Sequence, residues 1–189
     1  EAVCPRASVP SVAVHRDGTW RWGGVWGEAF TAGAVRGCLE RGRELGFNLI
    51  DAAGGYGDHR SEELVGKATR GNRHEWVIGT KFGHKFDGMF KRQQIWDTQG
   101  ILKQLEESLT ALQTDYIDLY QFHSGSDVLF NNDELWEALR KQVKAGKIRH
   151  LGVSIGSNEN VYQPSAAPPV GPETIQGGYN RLDRERKST

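Results

Sequence analysis

From about residue 30 onward the sequence repeats one unit, a short apolar run followed by an amphipathic helical stretch, and this repeat constrains the fold more than any other feature. Ala32 to Leu45 keeps a helical period through Val35, Cys38, Leu39 and Leu45, with Gly46 placed as its C-cap. Phe47 to Ile50 reads as a strand ending at Asp51. A second helix is predicted from Ser61, taken as the N-cap, with Glu62 and Glu63 in its first turn. Trp76 to Thr80 is the next strand and ends at Lys81; a long connection then leads to a helix from Ile101 to Leu112. Tyr116 to Tyr120 is a strand running to His123, Glu134 to Ala145 a helix stopped by Gly146, and Ile148 to Val153 a strand ending at Ser154. Repeated βα units of this kind predict an α/β fold with a parallel sheet, either open and doubly wound or a (β/α)8 barrel of the TIM-barrel type. Both architectures collect their chemistry at the C-terminal strand ends. Here those ends carry Asp51, Lys81, His123 and Ser154.

The pattern weakens at both termini. Tyr162 to Pro172 stands where a crossover helix belongs but holds Pro164, Pro168, Pro169 and Pro172, and interior prolines break helices at about 3 kcal/mol each. Thr174 to Tyr179 is a candidate sixth strand weakened by Gly177 and Gly178, and Arg181 to Thr189 reads as a frayed polar tail. Ser11 to Val14 is a candidate first strand, followed by a glycine- and tryptophan-rich loop to Gly27. The first residue is Glu1 and the only methionine is Met89. The expectation is one domain over residues 1–189, holding about six βα units of a truncated barrel whose C-terminal part is missing.

Composition excludes several function classes. The formal net charge is zero and the Lys and Arg residues are scattered, which gives no electrostatic case for nucleic acid or an anionic membrane. No apolar run approaches the roughly 20 residues that span a bilayer, and Glu1 to Pro10 lacks the regions of a secretory signal, so a cytoplasmic enzyme is expected. Cys4 and Cys38 read as free thiols, Cys38 as a small core residue. No His, Cys or carboxylate cluster has metal-ligand spacing. His59, His74, His84 and His150 are taken as surface residues.

The strand ends suggest a specific chemistry. Lys81 closes a buried strand, and a buried ammonium requires a partner, for which Asp51 on the adjacent strand is the obvious choice. A packing-only ion pair and a functional pair stand about equal on this ground. Tyr56, five residues after Asp51 in a loop of small residues, can return over the mouth of the strands; taken alone it reads as structural. A phenol of pKa about 10 is a poor acid at neutral pH. Beside Lys81 it would become a better one, protonating a developing alkoxide while His123 orients the carbonyl oxygen. That set suits carbonyl reduction with hydride from a cofactor. Gly54-Gly55-Tyr56-Gly57 follows a strand but is not G-x-G-x-x-G.

At these residues the chain resembles the aldo-keto reductase superfamily. Phe47 to Gly57 is similar to its N-x-x-D-T-A-x-x-Y-G signature, Ser61 to Leu64 to S-E-x-x-[LV]-G, and Thr80 to Gly83 to T-K-x-G. Leu112-Gln-Thr-Asp-Tyr-Ile-Asp-Leu-Tyr120 resembles a family hallmark, and Gly146 to Arg149, Gly152 to Ser154, Gln176 and Tyr179-Asn180 extend the likeness over roughly residues 18 to 183. The bacterial branch related to potassium-channel β subunits is the nearest in flavour. The resemblance implies a (β/α)8 barrel that reduces small-molecule aldehydes or ketones with NADP(H) and without metal. It implies Tyr56 as proton donor supported by Asp51, Lys81 and His123, and cofactor contacts from Thr19, Trp20, Asp51, Ser154 and Gln176. The chain departs from the family pattern at Val12 to Asp17, in place of an apolar first strand, and at Ile155, where many members have Asn. It also stops short of the about 250 residues of such a barrel, and the family's phosphate-holding loops have no counterpart here. A non-catalytic scaffold that binds cofactor or a partner, and an incomplete gene product, are the alternatives. Substrate identity and oligomeric state are not specified by the sequence.

Overall fold

The computed structural model describes residues 18–24, 29–88, 91–157 and 160–177. The candidate first strand at Ser11 to Val14, Cys4, Met89, Tyr179-Asn180 and the tail from Arg181 lie outside them. Five strands form one parallel sheet: β1 (Leu49–Asp51), β2 (Val77–Phe82), β5 (Ile117–His123), β6 (Ile148–Ser154) and β7 (Thr174–Gln176), in that spatial order. Between β2 and β5 an antiparallel pair, β3 (His84–Phe86) and β4 (Arg92–Gln94), projects as a separate hairpin. The helices are α1 (Gly18–Trp22), α2 (Ala32–Glu44), α3 (Arg60–Ala68), α4 (Thr98–Leu112), α5 (Asp127–Phe130), α6 (Asp133–Lys144) and α7 (Tyr162–Val170). The arrangement is a curled half-barrel covering part of the (β/α)8 architecture.

Register divides the sheet into two chemically different faces. Asp51 pairs with Gly79, Lys81 with Gln121, His123 with Ser154, and Ser154 with Gln176. Because alternate residues of a strand share a face, Asp51, Lys81, Gln121, His123, Ser154 and Gln176 all stand on the same side. The intervening residues Ile50, Ile78, Phe82, Tyr120, Phe122, Leu151 and Val153 form the other side and are buried. Trp136 of α6 packs there against Phe82 and Phe122, with ring centroids 6.4 and 6.0 Å apart. Leu64 and Val65 of α3, Ile101 and Leu105 of α4, and Leu135 and Leu139 of α6 complete that core. Each such buried side chain contributes roughly 2 kcal/mol of hydrophobic stabilisation.

Local signals explain most helix ends. The Thr31 side chain accepts from Ala34 N–H, Asp97 from Gly100 N–H at 2.8 Å and Asn132 from Leu135 N–H, so α2, α4 and α6 each start on a side-chain cap. Gly46 and Gly146 follow α2 and α6 in the left-handed region.

Four expectations are corrected. Helix α3 begins at Arg60, its N-cap is His59 with no side-chain cap bond, and Ser61 lies buried inside the helix with an unpartnered hydroxyl. Cys38 is exposed, because Val35 is the only fully buried residue of α2. Leu45, placed in the same periodic pattern, is also exposed. Tyr162 to Val170 does form a helix. Pro164 sits in its first turn, where no N–H is needed, and tertiary contacts hold the remainder: buried Gln163 donates to Gly125 O and Asp127 Oδ1, each at 2.9 Å.

Candidate functional site

Asp51 and Lys81 end adjacent strands on the same face, and both are buried, at 8% and 4% exposure. Gly79 pairs in register with Asp51 and lies two residues before Lys81 on the same face. Lys81 Nζ donates to Asp51 Oδ1 at 2.6 Å and to the Ala52 carbonyl at 2.9 Å. The second Asp51 oxygen accepts from Gln176 Nε2 at 3.0 Å, and Gln176 Oε1 in turn accepts from Gln121 Nε2 at 3.2 Å. A carboxylate thus ties together the C-terminal ends of β1, β2 and β7. An ammonium has three donor hydrogens, and Asp51 and Ala52 engage two of Lys81's.

Tyr56 is returned over this pair by the small-residue loop. Lys81 Nζ stands 5.3 Å from the Tyr56 ring centroid, within cation–π range. The Tyr56 ring meets the His123 ring edge-on with centroids 6.4 Å apart. The loop is fixed by backbone packing at two glycines. A Cβ on Gly23 would lie 2.6 Å from the Tyr56 carbonyl, and one on Gly57 would lie 2.0 Å from Gly23 O. Only glycine permits that approach, and Gly57 also has φ +72°. Thr19, at the start of α1, donates its hydroxyl to the Asp51 backbone carbonyl. Trp20 is half-buried one residue on.

Ser154 and Gln176 stand side by side at the ends of β6 and β7, both paired in register, and Ile155 N–H donates to Gln176 O at 2.9 Å. Asp51, Tyr56, Lys81 and His123 are therefore brought together, with Thr19 and Gln176 bonded directly to Asp51. Ser154 joins through the register with His123. For Trp20 the geometry gives only adjacency to Thr19.

Two histidines taken as surface residues are not. His84, on β3, packs edge-on against His123 and Trp96, with centroids 5.0 and 5.8 Å away. Burial, then the nearby Arg92, pushes its pKa below the ordinary histidine value, against a hydrogen bond with the His123 backbone. His59 is half-buried against Glu62. The sequence signal for His84 was its position two residues past Phe82; it was hidden because the hairpin has no apolar alternation. Gln121 was also missed, and only its place two residues before His123 on the same face pointed to it. Among the described residues no group of three His, Cys, Asp or Glu side chains is arranged to hold a metal, and no helix is long and apolar enough to cross a membrane.

A broad open groove lies at the opposite ends of the strands, lined by Arg73, Glu106, Tyr116 and Lys147 among others. Its cations are already engaged, Lys147 with Glu106 and Arg73 with Asp118. The candidate site is therefore the constellation of Asp51, Tyr56, Lys81 and His123, not this groove.

A family profile described as "Aldo/keto reductase family" matches residues 17–189. The chain is 38% identical over 180 residues to the aldo-keto reductase YhdN of Bacillus subtilis, covering 91% of this chain and 51% of that protein. Among solved structures it is similar to the glycerol dehydrogenase of Gluconobacter oxydans, with TM-score 0.72 and 34% identity over 88% of this chain and 51% of that one. An aldo-keto reductase from Klebsiella pneumoniae in complex with NADPH gives TM-score 0.61 and 32% identity over 79% of this chain and 48% of that one. The chain spans about half the length of the curated relatives it matches.

Proposed function

The chain belongs to the aldo/keto reductase family, and from that we propose that its site reduces the carbonyl of a small aldehyde or ketone to an alcohol, with NADP(H) as cofactor and Tyr56 as proton donor. Carbonyl reduction with a nicotinamide cofactor is general for the family. The observation that carries the finer reading is the placement of Lys81 Nζ, 2.6 Å from Asp51 and 5.3 Å from the Tyr56 ring.

Each residue has a separable task. Tyr56 gives its phenolic proton to the carbonyl oxygen as that oxygen gains charge. The Lys81 ammonium stabilises the phenolate left behind, and Asp51 and the Ala52 carbonyl keep that ammonium in place. His123, edge-on to Tyr56, holds the same oxygen in line. The cofactor, when bound, supplies hydride to the carbonyl carbon. The polar groups at the neighbouring strand ends fit a nicotinamide: the Ser154 hydroxyl and the Gln176 amide stand together in register, and Gln121 and Asp51 fix the orientation of that amide. Thr19 closes the side nearest Asp51 through its hydrogen bond to the Asp51 carbonyl, with Trp20 next to it in sequence. The NADPH in the Klebsiella relative supports NADP(H) at a general level.

Titration of the purified chain with NADPH, followed by quenching of tryptophan fluorescence, tests the cofactor reading. Saturable quenching is expected. Turnover of small carbonyl compounds should then fall by about 10²–10⁴ in Tyr56→Phe, with NADPH affinity unchanged and stability within about 0.5 kcal/mol. A folded chain that shows no saturable binding overturns the proposal. Binding without turnover supports a second reading, a cofactor-binding scaffold.

A further inference from the structure

We propose that His59 is a positioning residue: its imidazole bridges carboxylates on α3 and α4, latches the loop of residues 52–59 that presents Tyr56, and releases it on losing its proton.

The backbone is under local strain at this point. Asp58 and His59 are consecutive left-handed residues, with φ of 52° and 65°, where side chains other than glycine are disfavoured. Something must hold them there, and the His59 side chain is aimed back at the protein. Its Nδ1 lies 2.5 Å from Glu62 Oε2 and its Nε2 lies 3.6 Å from Glu107 Oε2. Both ring nitrogens face carboxylate oxygens, Nδ1 at hydrogen-bond distance and Nε2 at ion-pair distance, and only the protonated ring presents an N–H and its charge to both. Glu62 is fully buried, and its other oxygen accepts the Thr80 hydroxyl at 2.5 Å, so the latch is anchored on β2. The ring also covers Gly54, where a Cβ would lie 2.8 Å from His59 Cε1.

The loop beneath closes on itself. Tyr56 N–H donates to Ala53 O at 3.0 Å, His59 N–H to Gly54 O at 2.8 Å and Ser61 N–H to Tyr56 O at 3.2 Å. Moving His59 therefore moves the turn that fixes Tyr56.

The groups facing the ring come from four elements: Glu62 on α3, Glu107 on α4 with its own partner Lys103, Asp58 in the loop, and Thr80 on β2 through Glu62. Tyr120 on β5 feels the same carboxylates; burial first, then Glu62, Glu107 and Glu106, keeps its phenol protonated. Burial alone would lower the His59 pKa, but the Glu62 hydrogen bond and charge, with Glu107 and Asp58, outweigh it and raise the pKa above the ordinary value. A raised folded-state pKa makes the latch fully present below the unfolded pKa and lost as pH rises through the folded one.

The bearing of this latch on catalysis rests on Tyr56 being the proton donor; the latch itself does not. The test is amide hydrogen exchange of the full chain by NMR, across about two pH units either side of histidine's ordinary pKa, corrected for the intrinsic pH dependence. Protection at Tyr56, His59 and Ser61 should fall roughly threefold or more as the ring titrates, the scale of a partly exposed ion pair, while amides of β5 stay unchanged. In His59→Gln, which keeps a hydrogen bond but does not titrate, the same protection should be flat with pH. His59→Gly, which also removes the backbone strain, should melt cooperatively and show low, flat protection. Native protection that does not change with pH, or a His59→Gln curve that follows the native one, overturns the proposal. A titrating latch in a chain without turnover would count against Tyr56 as donor and leave the latch standing.

Discussion

Asp51 and Asp118 are both buried, both lie on strands of the same parallel sheet and both face cations, yet they stand at opposite ends of the strands and are built differently. Asp118 accepts from Arg73 at 2.7 Å, from Ile78 N–H at 2.9 Å and from Arg149 at 2.8 Å. The two guanidinium groups lie over the Tyr116 ring, 4.2 and 3.8 Å from its centroid. Arg73 also donates to the carbonyls of Trp76 and Tyr116. Asp51 holds a lysine instead, which lies over a phenol ring that in turn meets an imidazole edge-on. Guanidinium is permanently charged, planar and suited to fork-shaped pairing, whereas ammonium is a compact charge with rotatable donors. One end of the sheet is stapled, and the other carries a charge whose surroundings can respond to a reaction.

Three variants would break or sharpen this contrast. Asp118→Ala leaves two arginines and the Ile78 N–H without their acceptor, so urea unfolding should show a loss of roughly 3 kcal/mol, with NADPH affinity held in chains that remain folded. If stability is unchanged, the staple is not one. At the other end, replacing both members of the pair, as Asp51→Asn with Lys81→Met, removes two buried charges together; the same measurement should change by no more than about 1.5 kcal/mol in either direction, while carbonyl turnover is abolished. Retained turnover would show that the Asp51–Lys81 pair only packs the strands. Arg149→Lys keeps the charge but loses the stacking on Tyr116 and should cost about 1 kcal/mol, with no effect on the site. A larger loss of NADPH binding than of stability would show that the two ends communicate.

Much of this was legible in the sequence because burial and chemistry coincide there. Asp51, Lys81, His123 and Ser154 each terminate an apolar run, so a polar residue at that point is conspicuous, and the structure puts all four on one face. The motif around Tyr116 and Asp118 was also visible, but its partners Arg73 and Arg149 lie far away in sequence, and nothing local predicts their meeting. Helix α7 forms despite its prolines because Gln163 anchors it through long-range hydrogen bonds that no local pattern shows. The start of α3 was misplaced because Ser61 has the right chemistry for a cap, whereas two left-handed residues before it turn the chain a different way. The β3–β4 hairpin was invisible because Arg92, Gln93 and Gln94 are exposed and give no alternation to read.

The division of the sheet into a polar and an apolar face has a consequence for how this chain tolerates change in length. Ser154 and Gln176 belong to the site only because Val153 and Ile175 occupy the alternate positions of the same ladder. One residue inserted within β6 would invert that order, sending Val153 to the polar face and Ser154 toward the helices, and one within β7 would do the same to Ile175 and Gln176. The same insertion in the exposed turn at Arg70 and Gly71 would pass unnoticed by the chemistry. Spacing along β6 and β7 thus decides which side chains reach the candidate site, a constraint shared by residues on the opposite face.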